Sequence, residues 1–295
     1  MTHHHHKPSD PTSPEDSIDM LLTPGGWRHK SLVHEIDPRH HLDASTGEIV
    51  EYNVAGEVVG NYGAIKERAP GMRLMPSNVV VPKDQIAPWG SGWITFGDWT
   101  NNSGHPVSLF VATWYVPPPP ITHSGQTVFL FNGIQNSTMI YQPVLQWGVS
   151  AAGGGPHWSV ASWYADGAGG VAHHSPLTPV HPGQKLVGVM ALMNHVGNHF
   201  SYQCQFVGIP QSILTIHNVQ QLTWLAITLE AYGITKKTDY PNAVDTPFQG
   251  IVVQTTDRRP PHPKWQAVDS VTSFGQHTLV VSDDYGDGIV IIFYV

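Results

Sequence analysis

The sequence predicts an all-β protein, an antiparallel two-sheet β-sandwich with an N-terminal extension. Two observations predict this class. Short apolar runs of strand length recur along the chain, separated by turns, and almost no helical periodicity lies between them. Gly (29 residues) and Pro (25 residues) are abundant but follow no regular period, as expected for a chain with many tight turns.

The chain divides into three parts. Residues 1–19 are rich in His, Pro, Ser and Asp, and residues 3–6 are all His, so we expect a disordered or tag-like tail. Residues 20–88 mix strand and turn patterns and are expected to form an extension packed on the main body. Residues 89–295 are predicted to be the β-sandwich domain, because strand patterns recur there at short intervals.

The strands predicted in the sandwich domain span residues 92–99, 108–115, 127–132, 141–148, 158–165, 185–193, 200–207, 211–216, 222–232, 248–255, 278–282 and 288–295. Two more are predicted in the extension, at residues 48–54 and 78–81. Each run is four to eleven residues long, within or just above the usual range of about 3–10 for strands.

Composition and charge exclude several classes of function. The formal net charge is −8 and Lys plus Arg total only 14, without a basic run, so no nucleic-acid or membrane partner is expected. The single cysteine, Cys204, excludes an intrachain disulfide. The adjacent pairs His40-His41 and His173-His174 lack the spacing of a zinc site, so we interpret them as loop histidines and expect no metal or other cofactor.

Two predicted strands place polar side chains beside large apolar ones. Because side chains alternate between faces, Glu230 shares a face with Trp224 and Tyr232, and Gln146 shares a face with Gln142. A Glu can take a proton from water, and a Gln offers N–H donors that do not titrate and that can hold an oxyanion. However, a Glu on a strand is usually solvated and a Gln can simply hydrogen-bond a loop, so alternation alone leaves a structural interpretation open.

The segments Gln-Pro-Val-Leu-Gln-Trp-Gly at 142–148 and Leu-Ala-Ile-Thr-Leu-Glu at 225–230 resemble the glutamic peptidase (eqolisin) family. The fold of that family is a sandwich of the concanavalin A-like lectin/glucanase, or jelly-roll, kind. The resemblance implies that Gln146 and Glu230 form a catalytic dyad. It extends over residues 90–295 through further weak motifs in the same order, at 110–117, 158–164, 182–186 and 291–295.

The sequence also departs from the family pattern. Ser162 stands where the family has an acidic residue, and residues 131–136 replace its glycine- and aspartate-containing loop. The family is typically secreted, whereas the N-terminal residues here lack the apolar core of a signal peptide, so the compartment is left open.

The resemblance implies a glutamic-type endopeptidase that acts on polypeptides. Glu230 would activate a water, Gln146 would stabilise the oxyanion, and the optimum would lie on the acid side of neutral, with no metal or cofactor. The substrate-binding residues that we predict are Trp93, Phe129, Gln142, Trp163, Trp224 and Tyr232. The alternative is a carbohydrate-binding (lectin-like) or catalytically inactive sandwich, since sugars stack on exposed aromatic rings and this architecture has many functions.

Overall fold

The computed structural model describes residues 19–65, 92–167, 170–271 and 273–295. These residues form two large β-sheets packed face to face, which confirms the predicted all-β sandwich. They contain no α-helix and two single-turn 3-10 helices, Lys30–Leu32 and Lys237–Asp239. No helix among them is long and apolar enough to cross a membrane. The strand predicted at 78–81 lies outside the described residues.

Six strands precede the first gap in the described residues. They are β1 (Met20–Thr23), β2 (Gly26–His29), β3 (Val33–Glu35), β4 (His41–Asp43), β5 (Glu48–Tyr52) and β6 (Val58–Ala64). Strands β1 and β2 pair only with each other and form a hairpin, which we call the N-terminal hairpin (residues 20–29).

The remaining strands form most of the two large sheets. They are β7 (Trp93–Thr100), β8 (Val107–Tyr115), β9 (Thr127–Gln135), β10 (Met139–Ser150), β11 (Gly153–Asp166), β12 (Ala172–His174), β13 (Thr178–Pro179), β14 (Lys185–Val196), β15 (His199–Phe206), β16 (Ile209–Val219), β17 (Trp224–Tyr232), β18 (Asp245–Thr255), β19 (Gln266–Asp269), β20 (His277–Ser282) and β21 (Gly288–Phe293).

The nine-stranded sheet has the order β19-β7-β17-β9-β10-β11-β12-β3, with β13 also paired to β11. The ten-stranded sheet has the order β20-β21-β18-β8-β14-β15-β16-β4-β5-β6. Neighbouring strands are antiparallel except for two parallel pairs, β12 with β3 and β16 with β4. Strands β3 to β6 of the first part of the chain therefore lengthen both sheets. The division into extension and sandwich domain stays a prediction.

The core lies between the two sheets, and alternation along each strand decides which side chains enter it. In β17, Leu225, Ile227 and Leu229 belong to this core, whereas Trp224 and Ala226 lie in a second apolar cluster on the other face of the same sheet. Both faces of the nine-stranded sheet are therefore apolar along this strand. The second cluster surrounds the residues that the sequence singles out.

Candidate functional site

Three neighbouring strands of the nine-stranded sheet bring Glu230 and Gln146 into one row. Glu230 on β17 lies opposite Phe129 on β9, and Phe129 lies opposite Gln146 on β10. Residues directly opposite each other in antiparallel strands share a face. Glu230 and Gln146 therefore project from the same face, two strand spacings or about 10 Å apart at their Cα atoms, with Phe129 between them.

The predicted substrate-binding residues lie on this same face. Trp93 is opposite Glu230, and Gln142 is opposite Trp163. All of the predicted aromatic residues belong to the second apolar cluster, and none of the predicted residues is more than 7% exposed. The indoles thus present no exposed face on which a sugar ring could stack. The individual roles of these residues stay predictions.

Glu230 is a fully buried carboxyl group with one bonded and one unbonded oxygen. Its Oε1 accepts hydrogen bonds from the Gly25 backbone N–H (2.8 Å) and from the Tyr232 hydroxyl (2.5 Å). Its Oε2 has no hydrogen-bond partner. Burial raises the pKa of Glu230 to about 7, and the Tyr232 hydroxyl, the Gly25 N–H, the Arg28 charge and the Trp93 side chain oppose this rise only in part.

The Gln146 side chain is bonded within its own β10–β11 hairpin. Its Nε2 donates to the carbonyl oxygens of Gly148 and Gly153, both at 2.9 Å, and its Oε1 accepts from the Ser150 hydroxyl at 2.7 Å. Both amide hydrogens are therefore used in this conformation. One of the two bonds to a carbonyl must break before Nε2 can donate to another group. Alternation predicts the face of Gln146 but gives no information on this bonding.

Glycine is required where the β10–β11 hairpin closes around the Gln146 amide. Gly154 has φ +107°, and a Cβ there would lie 2.6 Å from Gln146 Nε2 and 2.3 Å from the Gly148 carbonyl oxygen. Gly148 has φ +89°, and a Cβ there would lie 2.2 Å from the Gln126 carbonyl oxygen. Both positions combine a backbone conformation that favours glycine with a close backbone approach.

The N-terminal hairpin covers this row, which the sequence does not predict. The Gly25 N–H bonds Glu230, and Leu22 joins the same apolar cluster as Trp93 and Phe129. The Leu22 carbonyl accepts a hydrogen bond of 2.7 Å from the Ala151 N–H, in the turn that follows β10. The hairpin thus contacts Glu230 at one end of the row and the turn after β10 near the other end.

Arg28 holds the N-terminal hairpin to the sheet. Its guanidinium is almost fully buried and donates to the main-chain carbonyls of Asp166 (2.8 Å), Gly167 (3.4 Å) and Gly170 (2.6 Å). It also donates to the Thr23 hydroxyl at 3.2 Å, within the hairpin itself. A buried Arg with this many acceptors fixes the position of β2 relative to the end of β11.

Several buried polar atoms on the face of the row lack hydrogen-bond partners. They are Thr228 Oγ1, Gln142 Oε1 and both amide atoms of Gln135. A buried polar atom without a partner costs about 1–3 kcal/mol. Together with Glu230 Oε2, they provide donors and acceptors that an extended peptide backbone could satisfy.

A cavity of about 400 Å³ opens next to the row, between the N-terminal hairpin and the ends of β9, β10 and β17. Leu22 and Trp27 of the hairpin line one side. The other side is lined by Ser150, whose hydroxyl bonds Gln146, and by Tyr232, whose hydroxyl bonds Glu230. The cavity is therefore separated from the row by a single layer of side chains.

The interpretation of His173 and His174 as loop histidines is wrong. Both are buried and lie on β12, which pairs in parallel with β3. The same interpretation is wrong for His41, which begins β4, whereas His40 lies before that strand. A three-residue strand whose partner lies far away in the sequence leaves no local pattern. In the part of the chain that the structure describes, no group of three His, Cys, Asp or Glu residues is placed to hold a metal ion.

No protein-family model matches the chain, and no curated protein matches it. Similar solved structures are those of scytalido-glutamic peptidase with a peptide-based transition state analogue (12% identity, TM-score 0.43) and with a transition state analogue inhibitor (13%, TM-score 0.44). A third is SCP-B, a member of the eqolisin family of peptidases, in complex with the tripeptide Ala-Ile-His (11%, TM-score 0.36). Each comparison covers 70% of this chain and 100% of the other. At this level the likeness concerns overall fold, so an assignment of function has to come from the side chains of this chain.

Proposed function

We propose that this protein is a peptide-bond hydrolase of the glutamic peptidase type, with Glu230 and Gln146 as its catalytic residues. One observation supports this most directly. A fully buried carboxyl group, with its pKa raised to about 7 and one oxygen unbonded, shares a row with a carboxamide. Perturbed acids of this kind concentrate at functional sites.

Glu230 acts first as a general base and then as a general acid. Tyr232, which lies on the same strand, holds Oε1 and leaves the lone pairs of Oε2 to take a proton from water. The resulting hydroxide adds to the peptide carbonyl and forms a tetrahedral oxyanion. Glu230 then returns the proton to the leaving amine as the C–N bond breaks, so no covalent intermediate forms.

Gln146 stabilises the oxyanion through Nε2. Releasing Nε2 from the carbonyl of Gly148 or Gly153 frees one N–H, while the bond from Ser150 to Oε1 keeps the amide oriented. One preorganised donor of this kind lowers the barrier by about 3–4 kcal/mol. The amide does not titrate, so this donor is available at any pH at which the fold is intact.

Hydrolysis requires displacement of the N-terminal hairpin. Glu230 and Gln146 are at most 1% exposed while the hairpin is in place, so the covered form is inactive. Displacement hydrates Glu230, and because burial is the main cause of its raised pKa, the pKa then falls toward its ordinary value. The carboxylate is therefore present in mild acid, where we expect the optimum.

A polypeptide substrate fits the uncovered face. Gln142 and Thr228 offer unpaired polar atoms to a peptide backbone, and the rings of Trp93, Phe129 and Trp224 give apolar contact area for its side chains. Trp163, opposite Gln142, extends this surface toward β12, and Tyr232 borders it at the other end. The resulting site binds an extended chain along the row.

The test is cleavage of a denatured protein in mild acid by the full-length chain. We expect Glu230→Gln to reduce cleavage by about 10²-fold or more, since the base and acid are both removed. The matched control is Glu57→Gln, the same change at an exposed carboxyl that bonds only Asn53 in its own turn. No cleavage by the unaltered chain, or equal cleavage by Glu230→Gln and Glu57→Gln, would contradict the proposal.

A further inference from the structure

Three histidines lie where the first part of the chain joins the edge of the nine-stranded sheet. Strand β3 pairs in parallel with β12, so that His34 lies opposite His173 and Glu35 lies opposite His174. We call His34, His173 and His174 the histidine joint. The N-terminal hairpin ends at His29, four residues before β3, so the joint holds the strand from which the hairpin extends.

His173 is buried as a ring with no polar partner. It is 0% exposed, and neither Nδ1 nor Nε2 has a hydrogen-bond partner. Its ring packs against those of Tyr62 (4.6 Å between centroids), His34 (5.5 Å) and Tyr164 (5.6 Å). Protonation would place a positive charge and a second unsatisfied N–H in this site, which is costly without a compensating anion.

The neighbouring charges do not compensate for this cost at His173. The ionisable groups around the joint are Arg28 on β2, Glu35 on β3, Glu51 on β5, Tyr62 on β6, and Tyr164 and Asp166 on β11. Glu51 acts on His34 and Glu35 acts on His174, whereas Asp166 accepts a hydrogen bond from Tyr164.

The three pKa values of the joint are all lowered. Burial lowers the pKa of His173 well below 6.5, and the positive charges of His34, His174 and Arg28 add to this. Burial also lowers the pKa of His174, although its Nδ1 lies 2.9 Å from the Ser175 carbonyl. Burial lowers the pKa of His34 against the attraction of Glu51.

We propose that the histidine joint is an acid-sensitive latch, which holds β3 on the edge of the nine-stranded sheet at neutral pH and releases β3 in acid. The release of β3 is a property of the joint alone. The proposed catalytic groups are uncovered only when the hairpin's contacts through Arg28 and with Glu230 break as well, and that further step rests on the function proposed above.

The direction follows from proton linkage. Each histidine of the joint binds a proton less readily when β3 is attached than when it is detached, where its pKa is about 6.5. Attachment of β3 is therefore most stable above about pH 6.5, and it weakens as the pH falls below that value. For one histidine that stays neutral when attached, the attachment equilibrium falls about 30-fold at about pH 5.

Hydrogen exchange of the full-length chain, corrected for the intrinsic effect of pH, tests the latch without using activity. Between about pH 7.5 and about pH 5 we expect peptides from β3 and β12 to lose about 30-fold or more of their protection. Peptides from the core strands β8 and β14 should keep theirs, which distinguishes release from unfolding.

The decisive variant is His173→Phe, which keeps a flat ring of similar size and removes the titratable group. It should keep β3 more protected at about pH 5 than the unaltered chain does, because one of the three titrating rings is removed. The control is His195→Phe, the same change at an exposed histidine stacked on Phe200, which should release β3 like the unaltered chain. Should His173→Phe not fold, His34→Phe takes its place.

Two results would overturn the latch. One is unchanged protection of β3 in the unaltered chain across this pH range. The other is equal release by the unaltered chain and by the His173→Phe or His34→Phe variant. Neither result depends on peptide cleavage, so a failed latch is distinguishable from a failed peptidase assignment, which the Glu230→Gln comparison tests separately.

Discussion

Glu230 combines the chemistry of a proton carrier with the surroundings of a core residue. Its strand neighbours Leu229 and Ala231 are buried and apolar, and the hydrogen bonds from the Tyr232 hydroxyl and the Gly25 N–H offset only part of the loss of water at Oε1. The folded protein therefore binds a proton at Glu230 more tightly than the unfolded chain does. This difference makes stability depend on pH at this residue.

The Glu230→Gln variant should remove a pH dependence of stability. The folded pKa is about 7 against an ordinary 4.5, so between these values the folded state binds more protons than the unfolded state. Stability is then full below about 4.5 and is lost as the pH rises through 7, by up to about 3 kcal/mol. Urea unfolding of both proteins over this range should show the gap between them changing by about that amount. If the free energies of unfolding of the two proteins changed in parallel with pH, Glu230 would have an ordinary pKa.

At the scale of secondary-structure elements, two hairpins determine which hydrogen bonds Glu230 and Gln146 make. The N-terminal hairpin supplies Gly25 to Glu230, and the β10–β11 hairpin supplies the carbonyls of Gly148 and Gly153 to Gln146. In the covered form Glu230 and Gln146 do not bond each other. Each bonds the main chain of a neighbouring turn and one hydroxyl, that of Tyr232 for Glu230 and that of Ser150 for Gln146. Changes in these turns should therefore affect the site without altering its side chains.

A comparison of two adjacent glycines tests the β10–β11 hairpin. Gly153→Ala places a Cβ in open space at φ +96°, and should cost about 1–2 kcal/mol through backbone strain. Gly154→Ala adds contacts with Gln146 Nε2 and the Gly148 carbonyl, and should cost about 1–3 kcal/mol more. Chemical denaturation of both variants measures the difference. Equal costs would mean that the Gln146 amide is not held against this turn.

The whole molecule is built from two sheets that share strands from distant parts of the chain. Strands β4, β5 and β6 continue the ten-stranded sheet beyond β16, and Leu42 on β4 lies opposite Ile216 in the inter-sheet core. The first part of the chain therefore contributes to the same core as the rest. Removing core contacts there should destabilise the molecule as a whole.

Leu42→Ala should reduce the free energy of unfolding by about 2–5 kcal/mol, because the side chain is fully buried. Val58→Ala, on the exposed side of β6, should change it by no more than about 0.5 kcal/mol. Thermal or urea unfolding with a single transition would measure both. A small cost for Leu42→Ala would support an extension that is packed loosely on an independent domain.

Local alternation was sufficient to predict much of the sandwich. The predicted strand 222–232 overlaps β17, and its alternation correctly placed Trp224, Glu230 and Tyr232 on one face. The same reasoning placed Gln146 on a single face of β10, but sequence alone could not tell that this face meets that of Glu230. That depends on β9 lying between the two strands.

Contacts between distant segments had no signal in the sequence. Gly25 and Glu230 are 205 positions apart, and the bond is made by a backbone N–H that any residue but proline possesses. The pairing of His34 with His173 joins two three-residue strands, too short for a period to be recognised. Periodicity also says nothing about rotamers, so the bonds of Gln146 within its own hairpin could not be foreseen.

The acceptors that Arg28 uses have a consequence for sequence variation. Its guanidinium donates hydrogen bonds to three main-chain carbonyls, those of Asp166, Gly167 and Gly170. Any amino acid supplies such an oxygen, but a Cβ at position 170 would lie 2.4 Å from the Asp166 Cβ, so this acceptor position favours glycine. Arg28 itself has no equivalent replacement, because no other side chain offers five donors in one plane. Relatives that keep the cover should therefore retain this arginine and a glycine at position 170.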